Sequence, residues 1–298
     1  MAYPVTMRVA AIQTTATSVP EHNLSAAGEL VDMAAGDGAE LVVLPEYFSV
    51  AGNREHMRAY AEPLDGPTVT WASDLARRHG IWLLAGSFPE SPSIAPESTG
   101  TADGRLHNTS CLLDPSGSVA AVYRKIHLFD VGVTGASFHE SATVAPGDSL
   151  STVALKPRAP ADDVPERVLG LSICYDLRFP EVYRILTLRG ATIVAVPAAF
   201  TATTGPPHWE LLLRARAVEN EVFVIASGQV GELPPGMPAC HGHSMIVDPW
   251  GTVIAERLAP TPGVVIAELD EHEQQRIRVE LPVLANRRPN AYRWPDDG

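Results

Sequence analysis

Short apolar runs alternate with amphipathic stretches along most of this 298-residue chain. Residues 7–13, 41–44, 81–85 and 168–173 are strand-length runs with little polar interruption, a pattern that predicts buried strands. Between them, apolar positions recur at three- and four-residue spacing. Leu24, Ala27, Val31 and Ala34 predict a helix over 20–36; Ala72, Leu75 and Ala76 predict another from Thr68, read as its cap, to His79. Residues 109–113 and 119–123, joined by Asp114-Pro-Ser-Gly117, predict a hairpin.

The second half repeats the theme. Helices are expected at 180–189, 209–220 and 271–281, and strands at 151–155, 191–196, 221–227, 252–256 and 263–269. Segments 89–104, 157–166 and 228–241 read as loops, and 130–148 as irregular chain. The layout is bipartite, with the strand–helix alternation starting again near residue 150. It predicts an α/β sandwich with mixed sheets rather than a purely parallel doubly wound sheet.

Hydrophobic content of 45% with 19% charged residues suits a globular fold. Lys and Arg number 22 against 35 Asp and Glu, a formal charge of −13 that argues against a nucleic-acid surface. The N-terminal residues lack the apolar core of a signal peptide and no run is long enough to span a membrane, so a cytoplasmic protein is expected. Three cysteines, Cys111, Cys174 and Cys240, do not make a disulfide framework. Phosphate-loop, dinucleotide-binding and Gly-x-Ser-x-Gly signatures are absent. Cys240-His-Gly-His243 is the nearest approach to a metal cluster, but no second cluster matches it, and neither metal nor cofactor is expected.

Three chemistry-bearing residues sit where an apolar run ends. Cys174 closes the run 168–173 and is followed at once by Tyr175, Asp176 and Arg178, with a helix opening at Pro180. Such a cysteine is held rigidly within reach of a substrate, which suits a nucleophile; the competing reading is a small buried hydrophobe. Glu46 follows the run 41–44, and Lys125 follows the second hairpin strand. Carboxylates just past core strands are typical of α/β enzymes, although a surface glutamate is the plainer reading of Glu46 alone.

Taken together, Glu46-Tyr-Phe48, Tyr123-Arg-Lys-Ile-His-Leu128 and Ile173-Cys-Tyr-Asp-Leu-Arg-Phe-Pro-Glu181 resemble the Glu-Lys-Cys constellation of the nitrilase, or carbon–nitrogen hydrolase, superfamily. Thr204-Gly-Pro-Pro-His-Trp-Glu210, Leu213-Arg-Ala-Arg-Ala-Val-Glu219 and Gly242-His-Ser-Met-Ile-Val-Asp-Pro-Trp-Gly-Thr252 resemble its Nit-like branch, that of deaminated-glutathione amidases and omega-amidases. The resemblance implies one carbon–nitrogen hydrolase domain over residues 1–298, with its core at about 5–285 and a tail at 286–298. It implies a four-layer α-β-β-α sandwich, paired with a second copy in a homodimer or larger homo-oligomer. It further implies metal-free hydrolysis of a non-peptide C–N bond in a small carboxylate-bearing amide, through a thioester, with release of ammonia.

On this reading Cys174 attacks the amide carbonyl, Glu46 shuttles the proton, and Lys125 stabilises the oxyanion with the backbone N–H of Tyr175. The second glutamate of the family matches Glu140, through Phe138-His-Glu-Ser141, in a role of orienting Lys125 or assisting proton handling. Arg178, or an arginine of the Arg214–Arg216 stretch, is the candidate partner for a substrate carboxylate, and His208 and Trp209 are candidates to line the pocket. Asp176 and Arg178 either pair with each other to support the turn or touch substrate. Nitrile or N-carbamoyl substrates use the same residues, and a non-catalytic binding scaffold with Cys174 as packing is the reading of a different class.

Overall fold

The computed structural model describes residues 6–91, 104–133, 136–156 and 166–291. Its first six-stranded sheet runs β16-β1-β2-β3-β4-β5 and its second β15-β14-β11-β10-β9-β8. The strands of the first are β1 (Thr6–Gln13), β2 (Leu41–Val43), β3 (Trp82–Glu90), β4 (His107–Leu113), β5 (Val119–Arg124) and β16 (Gly263–Asp270). Those of the second are β8 (Thr152–Ala154), β9 (Val168–Leu171), β10 (Ile193–Ala198), β11 (Phe223–Gly228), β14 (Met245–Val247) and β15 (Val253–Glu256). Two small hairpins, β6 (Asp130–Val133) with β7 (Ala136–His139) and β12 (Val230–Gly231) with β13 (Cys240–His241), lie outside both sheets.

The halves share a topology. In the first, β1, β2 and β3 are parallel, β4 and β5 extend the sheet antiparallel, and antiparallel β16 closes the other edge. In the second, β9, β10 and β11 are parallel, β14 and β15 extend the sheet, and antiparallel β8 closes the edge. The repetition near residue 150 therefore has a structural counterpart.

Alternation along the strands accounts for the layers. Met7, Val9, Ala11, Leu41, Val43, Trp82 and Leu84 point into a core shared with the second sheet. Their neighbours Ala10, Ile12, Val42, Leu44, Leu83 and Ala85 pack against α1 (Pro20–Gly36) and α3 (Pro67–His79). Trp209, Leu213 and Ala217 of α5 (Gly205–Asn220), with Val182, Tyr183 and Leu186 of α4 (Pro180–Leu188), cover the other sheet. The order of layers is α-β-β-α. Because the central strands are buried on both faces, they read in sequence as unbroken apolar runs.

Some local expectations need correction. The cap of α3 is Gly66, with Pro67 opening the helix, and the N–H of Thr68 is bound by Glu62 Oε2 at 2.8 Å. A short α2 (Arg54–Ala59), started by Asn53 accepting from the His56 N–H, occupies a stretch where the apolar pattern predicts no element. The stretch 130–148 is not irregular: it holds the β6–β7 hairpin and a 3-10 turn at Glu140–Ala142. The loops read at 89–104 and 157–166 fall largely outside the described residues. α6 (Glu271–Glu280) docks on the second half, where Gln274 Nε2 donates to the carbonyls of Thr192 and Glu221. Among the described residues no helix is long and apolar enough to cross a membrane.

Candidate active site

Glu46, Lys125 and Cys174 meet where the C-terminal ends of β2, β5 and β9 approach one another. Lys125 donates to Glu46 Oε1 and to Glu140 Oε2, each at 2.9 Å, and both Lys125 and Glu46 are 2% exposed. Glu46 Oε2 accepts the backbone N–H of Ala199 at 2.8 Å, just past β10. Glu140 Oε2 also accepts the N–H of Phe129 at 2.7 Å, and its Oε1 accepts the Tyr47 hydroxyl at 3.1 Å. Asn108 of β4 joins the carboxylates, with Nδ2 at 2.9 Å from Glu46 Oε1 and 3.2 Å from Glu140 Oε1.

Backbone geometry places the side chains of this cluster. Tyr47 (φ 53°) and Cys174 (φ 45°) both occupy the left-handed region that side chains normally avoid. Cys174 lies beyond the end of β9 and opens a 3-10 turn, Cys174–Arg178. Glu46 depends on a close approach: β3 bulges between Ala85 and Phe88, and Gly86 passes the Leu44–Pro45 backbone where a Cβ would lie 1.9 Å from the Pro45 carbonyl. Ser87 completes that contact, its N–H donating to Pro45 and its hydroxyl receiving the Tyr47 N–H.

Asp176 clamps the Cys174 turn from behind. It is fully buried and accepts the Ile173 N–H at 2.9 Å, the Tyr123 hydroxyl at 2.7 Å and the His127 backbone N–H at 3.1 Å. His127 Nδ1 lies 2.8 Å from the same carboxylate, and its ring stacks on Phe179. Asp176 thus ties the residues flanking Lys125 to those flanking Cys174. It does not pair with Arg178. That guanidinium sits over the rings of Phe200 and Tyr175, with His208 Nδ1 3.4 Å from its Nη1.

Electrostatics around the thiol follow from this packing. Burial pushes the Cys174 thiol well above the usual cysteine range, the Glu46 carboxylate adds to the rise, and Lys125 opposes it. Burial pulls the Lys125 ammonium down, but Glu140 and Glu46 outweigh it and hold the group above its ordinary value. The resting site is therefore a neutral thiol beside a charged lysine. Cys111, by contrast, is pushed up to about 12 chiefly by burial, away from this cluster.

The site opens into a cavity of about 590 Å³ whose lining includes Glu46, Tyr47, Lys125, Glu140, Cys174 and Tyr175. Arg178 and Arg54 bring positive charge to its wall, and Met237 and Pro238 bring the 228–241 loop to it. Trp209 does not line the cavity: it is fully buried, donates to the His243 carbonyl at 2.8 Å and packs on Phe200. His208 reaches the site only through Arg178. The α5 arginines also stay out of the cavity. Arg216 braces the Cys174–Arg178 turn by donating to the Leu177 carbonyl, and Arg214 donates to that of Gly251. Sequence reasoning missed Asn108, Tyr47 and Arg54. The signal available for Asn108 was the polar His-Asn-Thr-Ser run that opens β4 ahead of its apolar Cys-Leu-Leu.

The model of the carbon-nitrogen hydrolase family matches residues 8–278. The chain belongs to this family. The carbon–nitrogen hydrolase is 42% identical over 286 residues to the deaminated glutathione amidase of Mus musculus, covering 95% of this chain and 84% of the relative. It is 37% identical to the omega-amidase NIT2 of Homo sapiens, covering 96% of each. Among solved structures it is similar to Saccharomyces cerevisiae Nit3, a member of branch 10 of the nitrilase superfamily, with a TM-score of 0.80 and 31% identity over 95% of this chain and 97% of that one. The hydrolase thus carries the layered nitrilase fold over nearly its whole length, and the mouse and human relatives are named as amidases.

Proposed function

We propose that this carbon–nitrogen hydrolase is a cysteine-dependent amidase acting on a small carboxylate-bearing amide, either a deaminated glutathione-like compound or an omega-amide of a dicarboxylate. The observation that carries the reading is the ammonium of Lys125 bound between Glu46 and Glu140 beside the Cys174 thiol, all facing one cavity. The names of the relatives supply the substrate class.

The steps follow from the geometry. Cys174 Sγ attacks the amide carbonyl carbon while Glu46 takes its proton, which a thiol held above its ordinary value requires. An ammonium has three N–H donors, and two of those on Lys125 bind carboxylates. The third, with the Tyr175 backbone N–H, stabilises the oxyanion. The C–N bond breaks as Glu46 returns the proton to the leaving nitrogen, giving a thioester. Water then attacks the thioester, Glu46 accepting its proton and passing it to the departing Cys174 sulfur.

Arg178 is the proposed partner of the substrate carboxylate. It lines the cavity, and its cation is held by aromatic faces rather than spent on an acidic side chain. A homodimer is the proposed assembly. Its support is the apolar surface where Leu211 and Val218 of α5 (66% and 44% exposed) adjoin the turn bearing Trp250 (62% exposed); a Cβ on Gly251 would lie 2.5 Å from Val218 Cγ2.

The test is a turnover screen of omega-amides of graded length, deaminated glutathione, N-carbamoyl amino acids and nitriles, reading both ammonia and amine release. Amides with a carboxylate are expected to lead, and Cys174→Ala to lower kcat by roughly 10⁴-fold or more. An alanine variant with unchanged turnover would falsify the nucleophile assignment; a preference for nitriles or carbamoyl compounds would overturn the substrate class.

A further inference from the structure

Asn108 occupies an unusual position between the two glutamates. Its Nδ2 lies within hydrogen-bond distance of Glu46 Oε1 and Glu140 Oε1, so the two amide hydrogens are divided between two carboxylates. Its main chain is part of the same cluster, since the Asn108 carbonyl accepts the Lys125 N–H at 2.9 Å. The side chain is fully buried and does not line the cavity. Its Oδ1 is buried without a hydrogen-bond partner, a state that folded proteins ordinarily avoid. The reversed amide would set Oδ1 against both carboxylates, so charge fixes the orientation and leaves the acceptor unused.

A physical need explains why such a residue would sit there. Two carboxylates converging on one ammonium repel each other, and a shared proton is the usual relief. A proton resting on Glu46 would leave nothing to receive the proton of Cys174. An amide donates to ionised carboxylates and cannot itself lose a proton in this range, so it favours the charged form of both.

We propose that Asn108 is a positioning residue whose amide keeps Glu46 and Glu140 ionised and in register around Lys125, leaving Glu46 free to act as the base. The inference rests on the assignment of Glu46 as base made above, and its test separates the two. Asn108→Leu and Asn108→Asp are compared with the wild type by kcat and KM across pH, with circular dichroism and thermal melting as checks of folding. Loss of the amide donors lets the carboxylates take a proton more readily, so the acid limb of kcat/KM moves to higher pH, by about one unit. Asn108→Asp shifts it further, because it adds a third carboxylate. At neutral pH kcat falls by about tenfold or more, and KM changes less, because Asn108 does not face the cavity.

A folded Asn108 variant whose acid limb coincides with that of the wild type overturns the proposal. Activity retained by Glu46→Gln overturns the reading of Glu46 as the base instead. Should neither Asn108 variant fold, the wild-type side-chain amide still decides the matter. Both Nδ2 protons are expected to shift by NMR over the pH range where activity is lost in acid; protons that stay fixed there defeat the inference.

Discussion

Cys174 is buried, and both its burial and Glu46 hold its thiol above the ordinary cysteine range. The sign of that shift makes the neutral thiol the form present at neutral pH, so alkylation of the free enzyme should be slow and should accelerate as pH rises. Glu46→Gln removes one cause of the rise and leaves the opposing pull of Lys125. Labelling of Cys174 by iodoacetamide near pH 8 is therefore expected to quicken by several-fold in Glu46→Gln, while turnover falls by about 10²–10⁴-fold. Mass-spectrometric labelling rates against kcat provide the check, and equal labelling in the two proteins would contradict the electrostatic account. Glu46, Lys125 and Cys174 stood out in the sequence because each follows an apolar run. Asn108 did not: an amide inside a strand has no distinctive spacing, and its role exists only because two distant glutamates arrive beside it.

At the scale of elements, the site is set by how closely backbones pass. Gly86 lets the bulged β3 lie against the Pro45 carbonyl that precedes Glu46. Gly86→Ala must push that turn aside, with an expected loss of about 1–3 kcal/mol in stability and a drop in kcat larger than the stability change alone produces. Gly36→Ala is the control, since a Cβ there meets nothing within 4 Å. Denaturant unfolding with parallel kinetics tests this; identical behaviour of the two variants would remove Gly86 from the account. The same scale explains where the pattern reading went astray. Apolar periodicity finds long helices such as α1, but the six-residue α2 and the four-residue β6 and β7 are too short to show a period. The helix over 209–220 was legible, yet which of its residues would face the cavity was not. Trp209 and Arg216 turn inward to core and to the Leu177 carbonyl because α5 lies flat on its sheet.

For the whole molecule, the homodimer proposed above makes a prediction about one exposed apolar face. Val218→Asp combined with Trp250→Asp places charge on the exposed patch beside Gly251, where both side chains are solvent-accessible in the single chain. Light scattering is expected to report a dimer for the wild type and a monomer for the double variant, with each remaining folded. A wild-type monomer, or a variant dimer, would rule out this face. The clustering of Arg178 and Arg54 on the cavity wall, in a chain of net charge −13, likewise emerges only in three dimensions. A global charge says little about one pocket.

Taken alone, the order of apolar and polar residues determined the layered α/β class, the bipartite layout and the strand-end position of the glutamate, lysine and cysteine. Hydrophobic period depends only on which face a residue must bury, and that information is local. Tertiary structure decided the rest. It brought Asn108 between Glu46 and Glu140, made Asp176 a clamp rather than a partner of Arg178, and turned Trp209 away from the cavity. Each of those outcomes rests on contacts between residues far apart in the chain, those of Tyr123 and His127 with Asp176 among them, set by how strands, turns and helices pack and not by any spacing along one of them.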